Sequence, residues 1–471
     1  RQKLLAAVAA TFALSACVNT ADTASTQKQL PATPKNIIMI VADGMGPAYT
    51  TAYRNFRDNP DTPEVERVVL DNIFVGNAST YPDLVSGFVT DSAASATALA
   101  SGVKSYNGAI GVDKNKKPVT SILQRAKQLG MRTGVAVTSQ IVHATPASYV
   151  AHNESRQNYN ELADSFFDDR INGQFVADVM LGGGTRYFER EDRNVTAEFI
   201  DAGYAYVDTY NKLATLPAGE NVLGLFAEVG LPWALDDLRK NRLAYLTEHA
   251  IKHLENDKGF FLLVEASQVD WAGHSNDIAA AMAEMHDLNL ALEYLVSYVE
   301  EHPDTLVVLT ADHSTGGLTI GARGEYRWAP EWLHKLKQSP VTIAQNMTKA
   351  DSPAAYVSEA LGFKLNDEES SQVTELAKQA DLEARFDGIK ALLDIRSNTG
   401  WTTTGHTGVD VEVFAFGAGS SQFYGQYDNT DIAKKLFGLL PKSAPAVKTL
   451  TKTVSQEEKS QCDFETDWRC E

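Results

Sequence analysis

Cysteine is nearly absent from this chain of 471 residues: three occur, at positions 17, 462 and 470. No disulfide network can therefore hold the fold. Cys462 and Cys470 either pair, closing a short loop in the tail, or remain unlinked thiols. Positive charge is also short, with 42 Lys and Arg against 61 Asp and Glu and a net charge of −19. That balance argues against a nucleic-acid-binding surface. No run of 18 apolar residues appears, which excludes an ordinary membrane-spanning helix. The remaining composition, 44% hydrophobic and 22% charged, is that of a globular protein. The length suits one large α/β domain with insertions, or two to three smaller domains.

The first residues have a pattern of their own. Arg1 and Lys3 precede the apolar stretch Leu4 to Leu14, and Ser15-Ala16-Cys17 follows. A basic start, an apolar stretch and small residues at a cleavage point make an export signal over 1–16. Leu14-Ser15-Ala16-Cys17 resembles the lipobox of bacterial lipoproteins, which implies acylation of Cys17 and an exported protein of the periplasm or cell envelope, lipid-anchored to a membrane. An ordinary secretory signal that contains a Cys is the plainer alternative. Residues 17–35, rich in Thr, Ala, Ser, Gln and Pro, read as a flexible tether, and the polar stretch 441–471 as a surface tail.

Between them, apolar runs alternate with helical patterns. Asn36 to Ala42 is a continuous apolar run, as expected of a strand buried on both faces of a parallel sheet. Further strands are expected at Arg132–Thr138, Val179–Leu181, Phe260–Val264, Thr305–Thr310 and Val411–Phe416. Helical patterns fall at Pro47–Arg57, Ser121–Leu129, Tyr159–Asp168, Leu235–Leu254, Asp277–Val299 and Ile432–Leu440. This rhythm predicts an α/β three-layer sandwich, with helices on both sides of a mainly parallel central sheet, spanning residues 36–440. Two stretches break it. Residues 185–235 are mixed and read as a surface excursion. Residues 314–405, with helical patterns at Ala354–Gly362 and Glu368–Ala384 and the aromatics Tyr326, Trp328 and Trp332, read as an insertion (its body about 320–400) covering one end of the sheet.

Ligands of open α/β sheets bind beyond the carboxyl ends of the strands, and polar residues collect there. Asp43 follows the first strand. His143 and Thr145 lie shortly after the strand at 132–138. Glu265 follows Phe260–Val264, and Asp312 and His313 follow Thr305–Thr310. One such Asp is ordinarily a turn or cap residue; four strand ends carrying metal-capable groups point to a site. Asp270 and His274 stand four apart, so a helical turn would project both from one face. Ser92 heads the small-residue run Ser92 to Ser101, which ends at Gly102. At a helix N-terminus a Ser is either a nucleophile favoured by free backbone N–H groups or an N-cap. Asp91 either caps the same helix or orients Arg156.

Spacing alone does not bring these distant residues into sites. A resemblance does. VADGMG (41–46), VTDSAASATALASG (89–102), VHATPASYVAHNESR (142–156), VEASQVDWAGHSND (264–277), TADHSTGG (310–317) and TTTGHTG (402–408) resemble, in order, the motifs of bacterial and animal alkaline phosphatases. The resemblance covers about Asn36 to about Leu440. It implies hydrolysis of phosphate monoesters at alkaline pH, with Ser92 the phosphate-accepting nucleophile and Arg156 holding the phosphate oxygens. It implies one zinc on Asp270, His274 and His406, and a second on Asp43, Asp312, His313 and the Ser92 oxygen. Magnesium would lie on Asp43, Thr145 and Glu265. Expected partners are phosphomonoesters and inorganic phosphate. Relatives are commonly dimers, so a homodimer is a further expectation, although no self-complementary patch is visible in the sequence. Diesterases on the same scaffold share metal ligands but differ at the nucleophile and clamp; Ser92, Arg156, Thr145 and Glu265 favour the monoesterase. A non-catalytic phosphate- or zinc-capturing lipoprotein would need no nucleophile.

Two positions vary within that family. His143 stands where some members carry Asp and others His. Trp271 replaces a Lys or His, and the combination resembles enzymes of cold marine bacteria. Both are expected near the substrate phosphate, and losing a cation at 271 should weaken phosphate retention and speed release. Elsewhere the plainer readings stand: His249, His253, His286, His302, His334 and His152 as structural or surface residues, Gly182–Gly184 as a turn, and Asn366 to Glu369 as a solvated helix start.

Overall fold

The computed structural model describes residues 32–442; the signal stretch, Cys17, most of the tether, and the tail with Cys462 and Cys470 lie outside the described residues. Ten strands form one sheet: β1 (Asn36–Val41), β2 (Phe74–Ser79), β3 (Arg132–Gln140), β4 (Val179–Gly183), β5 (Ala205–Val207), β6 (Val222–Leu225), β7 (Phe260–Glu265), β8 (Thr305–Thr310), β9 (Val411–Gly417) and β10 (Gly425–Asp428). Their order is β10-β2-β9-β8-β1-β7-β3-β4-β6-β5. Every neighbouring pair is parallel except those that β9 makes with β8 and β2. Helices flank this sheet, as the alternating pattern predicts. All six residues of β1, β7 and β8 are buried, the reason their sequences are apolar without alternation.

Five differences from the sequence reading matter. Residues 185–235 are no mere excursion: β5 and β6 within them extend the sheet at one edge. Val222–Leu225 is a four-residue apolar run, too short to stand out from its polar surroundings. The pattern over Leu235–Leu254 yields a helix only from Arg242, because 233–237 form a turn in which the N–H groups of Asp236 and Asp237 both donate to the Trp233 carbonyl. Glu368–Ala384 divides into Asp367–Leu376 and Leu382–Ser397, the second helix being started by Asp381, whose carboxylate accepts from the Glu383 N–H. Gly182 and Gly183 continue β4 rather than forming a turn. The strands β2 and β10 had no counterpart in the apolar pattern.

The helices that carry or support the site are α1 (Pro47–Arg57), α2 (Ser92–Ser101), α3 (Ala144–Val150), α4 (Arg242–Leu254), α5 (Gln268–His274) and α6 (Ile278–Glu301). Helix α2 is buried from Ser92 through Ala100. Its small side chains let it sit against α3 and the C-terminal helix Asn429–Leu439. The stretch between β8 and β9 returns to the core through two short antiparallel ribbons. One pairs Ser314–Thr315 with His406–Thr407 and the other Thr319–Ile320 with Thr399–Gly400. Trp328 donates from its indole to Thr399, and Trp332 packs edge-on against Phe363 under Arg396. These two aromatics therefore pack within that stretch, while Tyr326 lies in solvent.

Candidate active site

Strand register builds the site. Val41 of β1 pairs with Thr310 of β8 and with Glu265 of β7, and Glu265 also pairs with Val137 of β3. Asp43 and Asp312 each lie two residues beyond the Val41–Thr310 pair, so the two carboxylates emerge side by side. Asp312 is held by the N–H groups of Gly44 (3.0 Å) and His313 (2.9 Å) on Oδ1. Gly44 has φ +74°, and a Cβ on it would lie 2.6 Å from the Asp270 Cα; glycine lets α5 close over the first strand end. Because β9 runs antiparallel, its start lies at the same edge as the carboxyl ends of its parallel neighbours. The ribbon Ser314–Thr315/His406–Thr407 then sets His406 beside His313, ring centroids 3.5 Å apart.

Three donor groups result: Asp270, His274 and His406; Asp43, Asp312 and His313; and Asp43, His143 and Glu265. The first two are the sets that the family resemblance implies. The third joins two of the expected magnesium ligands and adds His143, which the sequence reading placed with the substrate instead. Thr145, the remaining expected ligand, lies at the start of α3 beside Glu265.

The arrangement fits cations. His274 Nδ1 lies 2.6 Å from the Thr404 carbonyl and His406 Nδ1 2.8 Å from the Thr90 carbonyl. A carbonyl only accepts, so each Nδ1 carries the proton and each Nε2 presents a lone pair. Those two Nε2 atoms face each other at 3.1 Å, with Asp270 Oδ2 3.3 Å from His274 Nε2. A cation between them turns repulsion into coordination. Likewise, neither oxygen of Asp43 and not Glu265 Oε1 accepts a hydrogen bond among the described residues, though all are buried. Burial, followed by the charges of Asp312, Asp270 and Glu265, pushes the Asp43 carboxyl well above the usual carboxylate range. Burial likewise pushes Glu265 up to about 7, against the hydroxyls of Ser267, Thr145 and Ser139. At Asp270 burial acts upward too, but His274, His406 and His313 outweigh it and hold the carboxyl well below its ordinary value. Close buried carboxylates are costly without a counter-charge.

Ser92 is the first residue of α2, not its cap. Asp91 is the cap, accepting from the Ala94 N–H at 2.9 Å. The Ser92 hydroxyl, 1% exposed, lies 3.1 Å from His313 Nε2. Asp91 does both things the sequence allowed: its other oxygen pairs with Arg156 Nη1 at 3.2 Å. Arg156 Nη2 donates to His143 Nε2 at 3.2 Å. Burial, aided by Arg156, lowers His143 to about 3, so its imidazole is a neutral acceptor. Trp271 is buried edge-on against His143, ring centroids 5.9 Å apart.

The alkaline phosphatase profile matches residues 34–441, the span that carries all of these side chains. The chain belongs to the alkaline phosphatase family. Alkaline phosphatase 4 of Bacillus subtilis is 45% identical over 421 residues, covering 88% of this chain and 91% of that protein. The cold-active alkaline phosphatase of a psychrophilic Shewanella is 51% identical, with a TM-score of 0.81, covering 86% of this chain and all of that one. A variant of the alkaline phosphatase from the Antarctic bacterium TAB5, with Mg bound in its M3 site, is 27% identical with a TM-score of 0.65, covering 88% of this chain and 99% of that one. This phosphatase therefore acts on phosphate monoesters, and its family depends on metal ions.

Sequence reasoning missed the supports. Ser267 and Ser139 donate to Glu265 Oε2 at 2.7 and 3.2 Å, and Thr315 donates to Asp270. The motif VEASQVD holds Ser267 in plain view, yet a Ser two residues past a strand end has no spacing signal. Of the histidines set aside, His152 meets the Val119 carbonyl, His286 the Tyr53 hydroxyl and His334 the Phe56 carbonyl, whereas neither ring nitrogen of buried His253 has a hydrogen-bond partner among the described residues. Among the described residues no helix is long and apolar enough to cross a membrane.

Proposed function

We propose that this chain hydrolyses phosphate monoesters at alkaline pH through a phosphoserine intermediate on Ser92, with two zinc ions and one magnesium. The observation that carries the reading is Ser92 Oγ, at the N-terminus of a buried helix and 3.1 Å from a His of one donor set, with the buried Arg156 paired to the adjacent Asp91. Zinc fits Asp270, His274 and His406, and again Asp43, Asp312, His313 and Ser92. Magnesium, the ion of the TAB5 variant, fits the oxygens of Asp43, Thr145 and Glu265. When bound, these ions supply Lewis-acid charge for the nucleophile and the leaving oxygen.

The protein's own groups do the rest. Ser92 gives up its hydroxyl proton to solvent and its Oγ attacks phosphorus in line with the ester oxygen, aided by the positive end of α2; the ester P–O bond breaks, and the leaving oxygen takes up a proton and departs as the alcohol. Arg156 offers its planar fork to two phosphate oxygens, oriented by Asp91 and His143. His143 and Trp271 wall the phosphate position without adding positive charge. Water then cleaves the phosphoserine and releases inorganic phosphate. We also infer, from the lipobox-like start and the family resemblance of the sequence, that the chain is exported, held to a membrane through Cys17 and paired as a homodimer.

The deciding experiment measures turnover of a chromogenic phosphomonoester and the matching diester at about pH 8–10, where an ionised nucleophile is favoured. It is run before and after chelation, then with zinc and magnesium restored. Monoester hydrolysis should be lost and then rescued by both ions. Ser92→Ala should abolish turnover, and mass spectrometry of acid-quenched wild type should find phosphate on Ser92. Preference for the diester, or phosphate on another residue, would overturn the reading.

A further inference from the structure

The glycine run at the end of β4 and the loop after β6 play no part in the chemistry above, yet they fit each other closely. A Cβ on Gly183 would lie 1.7 Å from the Val229 carbonyl oxygen, and Gly184 has φ +121°. The loop is tied down along its length. Phe226 N–H donates to the Gly182 carbonyl at 2.8 Å, and Gly184 N–H to the Ala227 carbonyl at 2.9 Å. Leu231 N–H donates to the Thr138 carbonyl at 2.9 Å. Gln268 of α5 donates to the Leu231 carbonyl at 2.6 Å, and Ala234 N–H donates to Glu284 at 2.9 Å. The middle of this fixed loop rests on the indole of Trp271: a Cβ on Gly230 would lie 2.4 Å from both Cη2 and Cζ3 of the ring. Gly230 has no positive φ, so its lack of a side chain serves the contact and not the backbone.

We propose that the loop 226–234, seated on Gly182–Gly184, is a positioning element for Arg156, acting through Trp271 and His143. The proposal rests on Arg156 being the phosphate clamp. Two supports aim its guanidinium. Asp91 is fixed, since its oxygens also accept from the N–H groups of Ala94 and Gly108. His143 is aimed by packing: its Nε2 accepts from Arg156, and Trp271 abuts its ring edge-on at an interplanar angle of 83°. Trp271 is 2% exposed, with the loop against its six-membered ring, so a displacement there has no free space to absorb it. The backbone of a distant sheet edge thereby sets how tightly the phosphate is held.

The test uses the metal-loaded full chain, inorganic phosphate as the probe, calorimetric titration for affinity and elemental analysis for metal content. Gly230→Ala displaces the ring that abuts His143. Phosphate Kd should rise about tenfold, the scale of one weakened hydrogen bond, with metal content unchanged. In a Trp271→Phe background the added Cβ no longer meets the indole, so the double variant should bind phosphate no more weakly than Trp271→Phe alone, a coupling between the two sites. Unchanged affinity in Gly230→Ala, or a double variant equal to the sum of the singles, overturns the proposal. If Gly230→Ala does not fold, Trp271→Phe alone decides: a weaker phosphate complex with full metal supports it, and an unchanged Kd sinks it. Arg156→Ala separates the layers. If it abolishes phosphate binding while Gly230→Ala does not alter it, only the loop's role fails. If Arg156→Ala leaves binding intact, the clamp itself is wrong, and the proposal falls with it.

Discussion

Two of the donor groups hold similar chemistry on different foundations. Asp43, Asp312 and His313 hang from β1 and β8, neighbouring strands in continuous parallel register, and all three are fully buried. Asp270, His274 and His406 come from a seven-residue helix and a two-residue ribbon. Their imidazoles are aimed by the carbonyls of Thr404 and Thr90, both in loops. The chain that brings His406 in belongs to the stretch between β8 and β9, where Trp401 donates to Asp394 at 3.2 Å and its ring lies against Gly316. The sheet-borne group should therefore be rigid and hard to strip. The ribbon-borne group should depend on packing far from the chemistry, because its ligands share no strand pairing with the sheet.

Substitutions can break or sharpen this contrast. The largest effect is expected from Asp43→Asn, since Asp43 belongs to two groups at once: kcat should fall about a thousandfold or more, with two ions lost by elemental analysis. His406→Ala should lower kcat/KM about 100- to 1000-fold and remove one ion. Retention of that ion would show that the ribbon is not its holder. Supports come next. Ser267→Ala should weaken only the ion on Asp43, Thr145 and Glu265, by about 10- to 100-fold. Trp401→Phe should speed loss of only the ion on Asp270, His274 and His406, followed by timed chelation. Equal loss from all positions in either variant would erase the distinction between the two foundations.

The smallest effect concerns pH. Burial pushes the Asp394 carboxyl up to about 7, reinforced by Asp277 and opposed by Trp401, Arg323 and Lys390. A raised carboxyl binds its proton more tightly when folded. Its contribution is therefore full below its ordinary value of 3.8 and is lost as pH rises through about 7. Asn at this position still accepts from Trp401 but carries no charge. Asp394→Asn should be more stable relative to wild type at pH 9 than at pH 5, read by urea denaturation. An identical stability difference at both pH values would show that Asp394 does not ionise in this range.

Much of the site was visible before any fold. Asp43, Glu265, Asp312 and His313 each end an apolar run, and a run buried on both faces leaves its first polar residue at the sheet edge. Asp270 and His274 are linked by helical spacing. Ser92 was ambiguous: a Ser before an Ala-rich run is far more often a helix cap than a nucleophile, and only the structure gives the cap to Asp91. His406 was legible through the family motif alone, because nothing local says that β9 is antiparallel and begins where its neighbours end. The supports Ser139, Ser267 and Thr315 were invisible, since a hydroxyl has no periodicity. Residues 185–235 misled because β5 and β6, at three and four residues, are shorter than any pattern window.

The alternation of strand and helix, the buried centre of the sheet and the carboxylates at its carboxyl edge can all be read from the amino-acid order. Each of these follows from residues close together in the chain, through burial and helical or strand periodicity. Tertiary structure alone decided which of those residues meet: the shared place of Asp43 between two donor groups, the return of His406 through the ribbon, and the stack from Gly230 through Trp271 and His143 to Arg156. These depend on strand order and on contacts between segments far apart in sequence, where local propensity carries no information.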